Sequence, residues 1–345
     1  MKDYLIVGQG LAGMLIANQL IQNKQSFLAV ADKKQIAATT IAAGMFNPLV
    51  FRRITKSWMV DELLPEMYTT FRQLEERLKA KLIYPHPIVK LISQEEYPQW
   101  VKKEKDTDVG KYIQKLEREN HIEGIHPFYA SATIAHSGYM DLQTLLTKFH
   151  QEIAHQNSLT YDHFEHKDVS IHKNHILWKG TPFKNIIFCE GAFAINNPLF
   201  TEVNYKLTKG DVLTLDMEDI ELHHIINKMA FLLEKKKGEF LCGSTYNWSG
   251  LDFSLHPKDL NYLKEKISAI LHKPFKIKSH KTAIRPTVSD RRPVLGTHAK
   301  YNNVHYFNGL GTKGVMLGPY FAKQMIAYLH KEKELYPEVA INRFR

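Results

Sequence analysis

Two cysteines in 345 residues cannot build a disulfide framework. Both, Cys189 and Cys242, sit inside apolar, strand-like runs, so a reducing compartment is expected. No run approaches the roughly 18 apolar residues that span a bilayer, which excludes an integral membrane protein. No charged segment and apolar core precede a cleavage site, because a strand-like run begins at Tyr4 and leads straight into glycines; the expected location is the cytoplasm. Internal repeats and low-complexity stretches are absent. The 18 histidines include the close pairs His163/His166 and His172/His175 and the doublet His223/His224. None stands in a metal pattern such as H-E-x-x-H, so no metal is assigned.

A hydrophobic fraction of 44% and a charged fraction of 24% describe an ordinary globular chain and exclude disorder, collagen-like sequence and coiled coil. The length suggests about two domains. The 46 Lys plus Arg exceed the 36 Asp plus Glu, giving +10, which raises nucleic acid as a partner. The basic residues come in small scattered groups, Lys33/Lys34, Arg52/Arg53, Lys102/Lys103, Lys235 to Lys237 and Arg291/Arg292, which read better as solvated turns than as a binding stripe.

Along the chain, Tyr4 to Val7 is a short continuous apolar run, as a buried parallel strand requires. Apolar residues at Ala12, Leu15, Ile16 and Leu20 mark a helix ending near Asn23, and Phe27 to Ala31 is a second strand closed by Asp32: a βαβ unit. Leu64, Met67, Phe71, Leu74 and Leu78 predict a helix over 61–79, with Pro65 placed in its first turn. The charged stretch 101–120 is read as helical, and Asp141 as the N-cap of a helix carrying Leu142, Leu145, Phe149 and Ile153. Strand signals follow near 159–161, 169–171, 175–178, 186–189, 212–215, 229–233, 240–242 and 304–307, with helices around Leu260 to Leu271 and over 314–329.

The segment Gly8-Gln9-Gly10-Leu11-Ala12-Gly13 has a definite physical task. Gly8 permits the tight turn out of the strand, Gly10 lets backbone approach a pyrophosphate, and Gly13 lets helix pack on strand. The helix N-terminus adds N–H donors and partial positive charge. Asp32 follows the first glycine by 24 residues, close to the spacing of about 20 for a ribose-binding carboxylate. The motif alone does not separate NAD from FAD. Residues 37–48, among them Thr39, Thr40, Ala43, Gly44 and Met45, form a small-residue segment that either lies against a planar ligand or is a close-packed loop. Glu190-Gly191 ends a strand, and Gly309, Gly311, Thr312, Lys313 and Gly314 lead from a strand into a second helix N-terminus.

Taken in order, these motifs resemble the D-amino-acid oxidase and glycine oxidase (DAO) superfamily of FAD-dependent oxidoreductases. The resemblance continues through Ser137 to Asp141, Lys209 to Leu213, Gly243 to Thr245, Ile284-Arg285-Pro286-Thr287, Asp290, Pro293 to Gly296 and Arg343-Phe344. It implies an α/β fold: a Rossmann-like FAD-binding domain from residues 1–80, 130–200 and 291–345, interleaved with an α+β, antiparallel-sheet substrate domain from 81–129 and 201–290. It implies FAD as cofactor, with Gly8, Gly10, Leu11, Ala12, Gly13, Asp32, Lys33, Thr39, Thr40, Ala43, Gly44, Met45, Glu190, Gly191, Arg285, Gly309, Gly311, Thr312, Lys313 and Gly314 around it. Relatives resembling monomeric sarcosine oxidase attach flavin through a cysteine near the arginine motif; Ala283 stands at the similar position, so noncovalent FAD is expected.

The implied chemistry is oxidation of the C–N bond of a small amino acid or secondary amine, with dioxygen or another electron acceptor. Arg285 would clamp the substrate carboxylate, unless it pairs with Asp290. Lys313 is a candidate for an anionic substrate or the flavin edge, or is a solvated lysine. Tyr246 and Trp248 would wall the pocket, or belong to the core. No general base stands out, and an amine deprotonated beforehand needs none. The competing readings are an oxidase of an aminomethyl group on a tRNA wobble uridine, possible but not favoured, and a nonenzymatic flavin-binding protein.

Overall fold

Four segments rich in β-branched and aromatic residues align in parallel with the first strand, Lys2–Val7. In the computed structural model, which describes residues 1–118, 121–217 and 220–345, Lys2–Val7 lies between Phe27–Ala31 and Thr181–Phe188. Leu159–Tyr161 extends the parallel array on one side and Val304–Asn308 on the other. The antiparallel Val294–Thr297 and the hairpin of Val169–Ile171 with Ile176–Trp178 complete this eight-stranded sheet. Alternate residues face opposite ways, as strand periodicity demands. Ile6, Ala29, Ile187 and Phe307 pack toward the helices, whereas Leu5, Val7, Val30, Ile186 and Phe188 join a second core on the far face.

The helices Leu11–Gln22 and Gly314–Leu329 run side by side because glycine lets them approach. A Cβ at Gly314 would stand 3.2 Å from Leu11 Cδ2, and one at Gly318 would overlap the Leu15 side chain. Their N-termini therefore open at the same edge of the sheet. That edge also carries the carboxyl ends of the parallel strands, where ligands bind in open α/β sheets.

A second eight-stranded sheet runs in the order Lys276–Arg285, Thr208–Asp216, Glu239–Gly243, Phe231–Lys236, Ile225–Asn227, Ile88–Ile92, Ala130–Ile134, Ile113–Arg118. All its pairings are antiparallel except Ile225–Asn227 with Ile88–Ile92. Helix Pro257–Ser268 covers one face through Leu263 and Ile267, packed on Leu213, Leu215, Phe240 and Cys242. The opposite face, with Leu233 and Ile225, joins the core that also packs the helices against the first sheet. Two strands cross the boundaries drawn from the sequence. Ala130–Ile134 belongs to this second sheet, and Ile83–Pro85 pairs with Gly138–Met140 in a small sheet that also holds Met45–Phe46.

The helical reading of 101–120 is corrected. Helix Tyr97–Glu104 takes only its beginning, Gly110–Tyr112 is a single tight turn, and Ile113–Arg118 is a strand; Glu119 and Asn120 lie outside the described residues. Three of the charges, Lys115, Glu117 and Arg118, belong instead to an edge strand, where lysine and arginine discourage further pairing. Helix Val60–Leu78 matches the expected span, but Pro65 stands in its second turn. The strand expected over 229–233 is a hairpin, Ile225–Asn227 with Phe231–Lys236. Asp141 caps Leu142–His155 as expected, its Oδ1 accepting from the Thr144 N–H at 3.2 Å. No described helix is long and apolar enough to cross a membrane.

Candidate functional site

The glycine turn is built by exclusion. Gly8 has φ +95°, and a Cβ there would collide with the Cys189 carbonyl oxygen; a Cβ at Gly13 would collide with that of Gly8. The backbone at Gly10 faces Thr39, whose Oγ1 accepts the Leu11 N–H at 3.0 Å. Gly10 at the N-cap of helix Leu11–Gln22 has no side chain to cap it and no acid occupies its first turn, so beyond the one N–H taken by Thr39 its positive end is left for a ligand. Gln9, buried beside it, donates to the Gly8 carbonyl at 3.2 Å, while its Oε1 accepts from no described group. Gln9 escaped the sequence reading because only the glycines of such a motif carry a signal.

Asp32 ends the second strand where the motif requires. Its Oδ1 accepts the Lys34 N–H at 2.8 Å, and Oδ2 meets His163 Nδ1 at 2.8 Å. The His163 hydrogen bond is the main reason its carboxyl is held below the ordinary value. Glu190 is fully engaged: one oxygen meets His166 Nε2 at 2.9 Å and the other accepts from Asn197 Nδ2 at 2.6 Å. Its carboxylate thus fastens the turn after the strand. Gly8, Asp32, Glu190 and Phe193 line one small cavity of about 40 Å³. His163 and His166, read from the sequence as ordinary strand or surface residues, are the groups that hold these two acids.

Other candidates fall differently. Lys33, Thr40 and Thr312 are exposed. The Lys33 ammonium sits 4.1 Å from the centre of the Tyr161 ring, and Thr40 Oγ1 donates to the Ala37 carbonyl at 2.8 Å. Gly44, at φ +73°, lies against the Met140 carbonyl with no room for a Cβ, so it has a packing role beside Ala43 and Met45. Leu11 and Ala12 are buried. The Gly191 carbonyl accepts from Asn308 Nδ2 at 2.9 Å, and Asn308 Oδ1 accepts the Gly309 N–H at 2.9 Å, which ties two strand ends together. Gly309 and Gly311, at φ +75° and +55°, turn the chain into the last helix.

That helix, too, lacks a side-chain cap and an acid in its first turn. Lys313 stands at its start with its ammonium on Ser57 Oγ. Burial pushes its pKa down to about 8. It is a largely enclosed cation, not a solvated lysine.

Arg285 ends the edge strand of the second sheet, opposite Thr208. Its Nη2 donates to Ser244 Oγ at 2.8 Å and its Nη1 to the Thr245 carbonyl at 3.2 Å. The guanidinium fills the place a side chain at Gly210 would take, and the Tyr246 ring centre lies 4.5 Å away. Asp290 is not its partner: that carboxylate is held by Arg343 at 2.8 Å. No described carboxylate forms an ion pair with Arg285. Burial lowers its pKa, yet a guanidinium stays charged. A half-buried cation held only by neutral acceptors favours an anion, and its planar fork suits a carboxylate.

The segment holding Arg285 is locked to the strand Thr208–Asp216. Thr245 Oγ1 accepts the Asp211 N–H at 2.9 Å, and Asn247 and Lys209 exchange backbone bonds at 2.9 and 3.0 Å. Beyond it opens a cavity of about 650 Å³ walled by Ser244, Tyr246, Trp248, Asp259 and Tyr262, among others. Tyr246 and Trp248 are 52% and 56% exposed, which places them on the wall and not in the core. Among the described residues no three histidines, cysteines or acids gather as metal ligands.

Residues 3–329 match the model of the FAD dependent oxidoreductase family, abbreviated DAO. Among solved structures, the chain superposes on glycine oxidase from Bacillus cereus with a TM-score of 0.80 at 17% identity, covering 97% of this chain and 96% of that one. Iminodiacetate oxidase from Chelativorans sp. gives 0.78 at 18% identity, covering 98% and 99%. L-α-glycerophosphate oxidase from Mycoplasma pneumoniae with FAD bound gives 0.76 at 13% identity, covering 97% and 96%. At these identities the likeness shows a shared fold.

Proposed function

Because this chain belongs to the FAD dependent oxidoreductase (DAO) family, with FAD as its cofactor, we propose that it oxidises the C–N bond of a small amino acid or secondary amine bearing a carboxylate. The observation that carries this reading is Arg285: half-buried, without an acidic partner among the described residues, and bonded to Ser244 and Thr245 on the wall of a cavity of ligand size.

The residues present fit the cofactor. The cradle of Gly8, Gly10 and Gly13 would take the pyrophosphate, Asp32 the ribose, and the N-termini of the two helices, free of acids in their first turns, its negative charge. When bound, FAD supplies the two-electron acceptor for the hydrogen on the carbon next to nitrogen. Ala283 is buried, and both cysteine thiols are buried and pushed up in pKa, which supports noncovalent binding.

Arg285 would fix the substrate through its carboxylate, so the carbon bearing nitrogen is held in one orientation. Lys313, a second enclosed cation reached from the opposite domain, would add attraction for the same anion. The Tyr246 ring keeps water from one side of the Arg285 fork and strengthens its hold. Loss of the amine proton before oxidation leaves the nitrogen lone pair to form the imine as hydride leaves the carbon, and water then hydrolyses the imine to an oxo acid and ammonia, or the remaining amine of a secondary-amine substrate. Dioxygen as acceptor would take the two electrons and two protons to hydrogen peroxide. The test is direct: the purified protein should be yellow, release FAD on denaturation and form peroxide with an amino acid. A protein that takes up FAD yet turns over no amine would refute the reading.

A further inference from the structure

Resting on the reading of Arg285 as the carboxylate clamp, we infer that Gly210 is a positioning residue for substrate capture: its missing side chain is the seat in which the guanidinium lies. Gly210 is buried inside strand Thr208–Asp216, opposite Ala283. Its φ lies outside the left-handed region, so the backbone does not call for glycine. A glycine inside a strand weakens it and often marks a close approach by another group. Here the approaching group is a side chain: a Cβ at Gly210 would overlap Nη1, Nη2 and Cζ of Arg285 together.

This glycine differs from those of the FAD cradle. A Cβ at Gly8 or Gly13 would meet a backbone carbonyl, which the fold holds in place. At Gly210 the three nearest atoms all belong to the tip of a flexible side chain, which can swing aside. Alanine at this position therefore displaces the clamp and spares the strand, which separates substrate capture from stability.

The rim of the seat sets the direction of the fork. Nη1 donates to the Thr245 carbonyl at 3.2 Å and to the Lys209 carbonyl at 3.4 Å, and Nη2 donates to Ser244 Oγ at 2.8 Å. The rim is itself fixed, because Thr245 Oγ1 accepts the N–H of Asp211, the residue after Gly210, at 2.9 Å. These bonds leave the Nε N–H and one N–H of Nη2 without an acceptor among the described residues. Neighbouring N–H donors of this kind are what the two oxygens of a carboxylate bridge. The rim acceptors are all neutral, so the seat orients the cation without cancelling its charge.

The experiment measures calorimetric binding of propionate, and of propanamide as its uncharged counterpart, to the holoenzyme. The same measurement is made on Gly210→Ala, Arg285→Ala, Ser244→Ala and the double variant Gly210→Ala/Arg285→Ala, with thermal unfolding of each. Propionate Kd should rise about tenfold or more in Gly210→Ala and about threefold in Ser244→Ala, with propanamide binding weak and unchanged. FAD content and melting temperature of Gly210→Ala should stay near those of the wild type. In the Arg285→Ala background, where no guanidinium lies over residue 210, the added methyl should raise the melting temperature, a coupling that a purely structural glycine lacks.

Wild-type propionate affinity in Gly210→Ala, or the same loss of stability from the methyl with and without Arg285, would overturn the seat; loss of propionate in Arg285→Ala would then leave the clamp standing. Wild-type propionate affinity in Arg285→Ala would refute the clamp and the seat together. Unfolding of Gly210→Ala that is rescued by Arg285→Ala would support the seat, and unfolding of both variants would overturn it.

Discussion

The guanidinium of Arg285 lies 4.5 Å from the centre of the Tyr246 ring, while the acid nearest to it in sequence, Asp290, is held by Arg343. A cation with an aromatic cover and no acid of its own is the feature from which the functional account follows.

Removing that cation should damage substrate capture before it damages the fold. Arg285→Lys keeps the charge but loses the two-pronged geometry, and Arg285→Ala loses both. An increase in apparent Kd for a carboxylate-bearing substrate of about tenfold for the first and a hundredfold or more for the second is expected. FAD content, read from the visible spectrum of the purified variants, should stay near that of the wild type.

The glycine turn makes an opposite prediction. Gly13→Ala drives a methyl group into the Gly8 carbonyl, backbone that cannot move without shifting the first strand. Loss of bound FAD and a destabilisation of about 2 kcal/mol or more should appear together in thermal unfolding of the variant. Gly180→Ala, at φ +78° with open space around it, should cost less and leave FAD in place.

How much of this was legible beforehand depended on which forces leave a local trace. Parallel strands are covered on both faces, so Tyr4 to Val7 and Ile186 to Cys189 read as unbroken apolar runs, and the strand end at Asp32 followed from them. The N-cap at Asp141 is likewise a local hydrogen bond. Ile113–Arg118 was misread because an edge strand may carry as many charges as a solvated helix. The partner of Asp290 was hidden because Arg343 arrives from the chain's end. The same holds for His163 on Asp32, a bond made by tertiary contact alone.

Lys313 should impose a pH limit on anion binding. Its pKa is pushed down to about 8 by burial, so it is a cation below that pH and neutral above it. Affinity for a carboxylate substrate should hold below about pH 8 and fall as the pH rises through it. Lys313→Arg, charged throughout, should flatten that limb, and Lys313→Met should bind weakly on both sides. The pH dependence of flavin reduction in the three proteins is the check; a limb persisting in Lys313→Met would assign it to another group.

His305 predicts a slope in stability on the acid side. It is buried as the neutral imidazole, with Thr297 Oγ1 3.0 Å from Nδ1 and Asn185 Oδ1 3.2 Å from Nε2. Burial lowers its pKa from 6.5 to about 3. Between those values the unfolded chain holds a proton that the folded chain refuses. Stability should therefore be complete above about pH 6.5 and fall with decreasing pH, by up to about 1.4 kcal/mol per unit from this group. Urea unfolding across that range, with His305→Gln showing a shallower dependence, measures it.

The excess of positive charge makes a further prediction. Many of the lysines already face acids, as in Lys56 with Asp61, Lys179 with Asp162 and Lys323 with Glu66, which weakens their hold on phosphates. The holoenzyme should not retain tRNA at low salt. Binding that falls steeply with added salt would instead favour the tRNA-linked substrate.

The most direct test is anaerobic titration of the bound flavin with a panel of amino acids and secondary amines, followed by its visible absorbance, in wild type and Arg285→Ala. Bleaching by at least one carboxylate-bearing amine, lost or strongly weakened in the variant, is the predicted result. Bleaching only by a hydroxy compound, or equal bleaching of both proteins, would contradict the account.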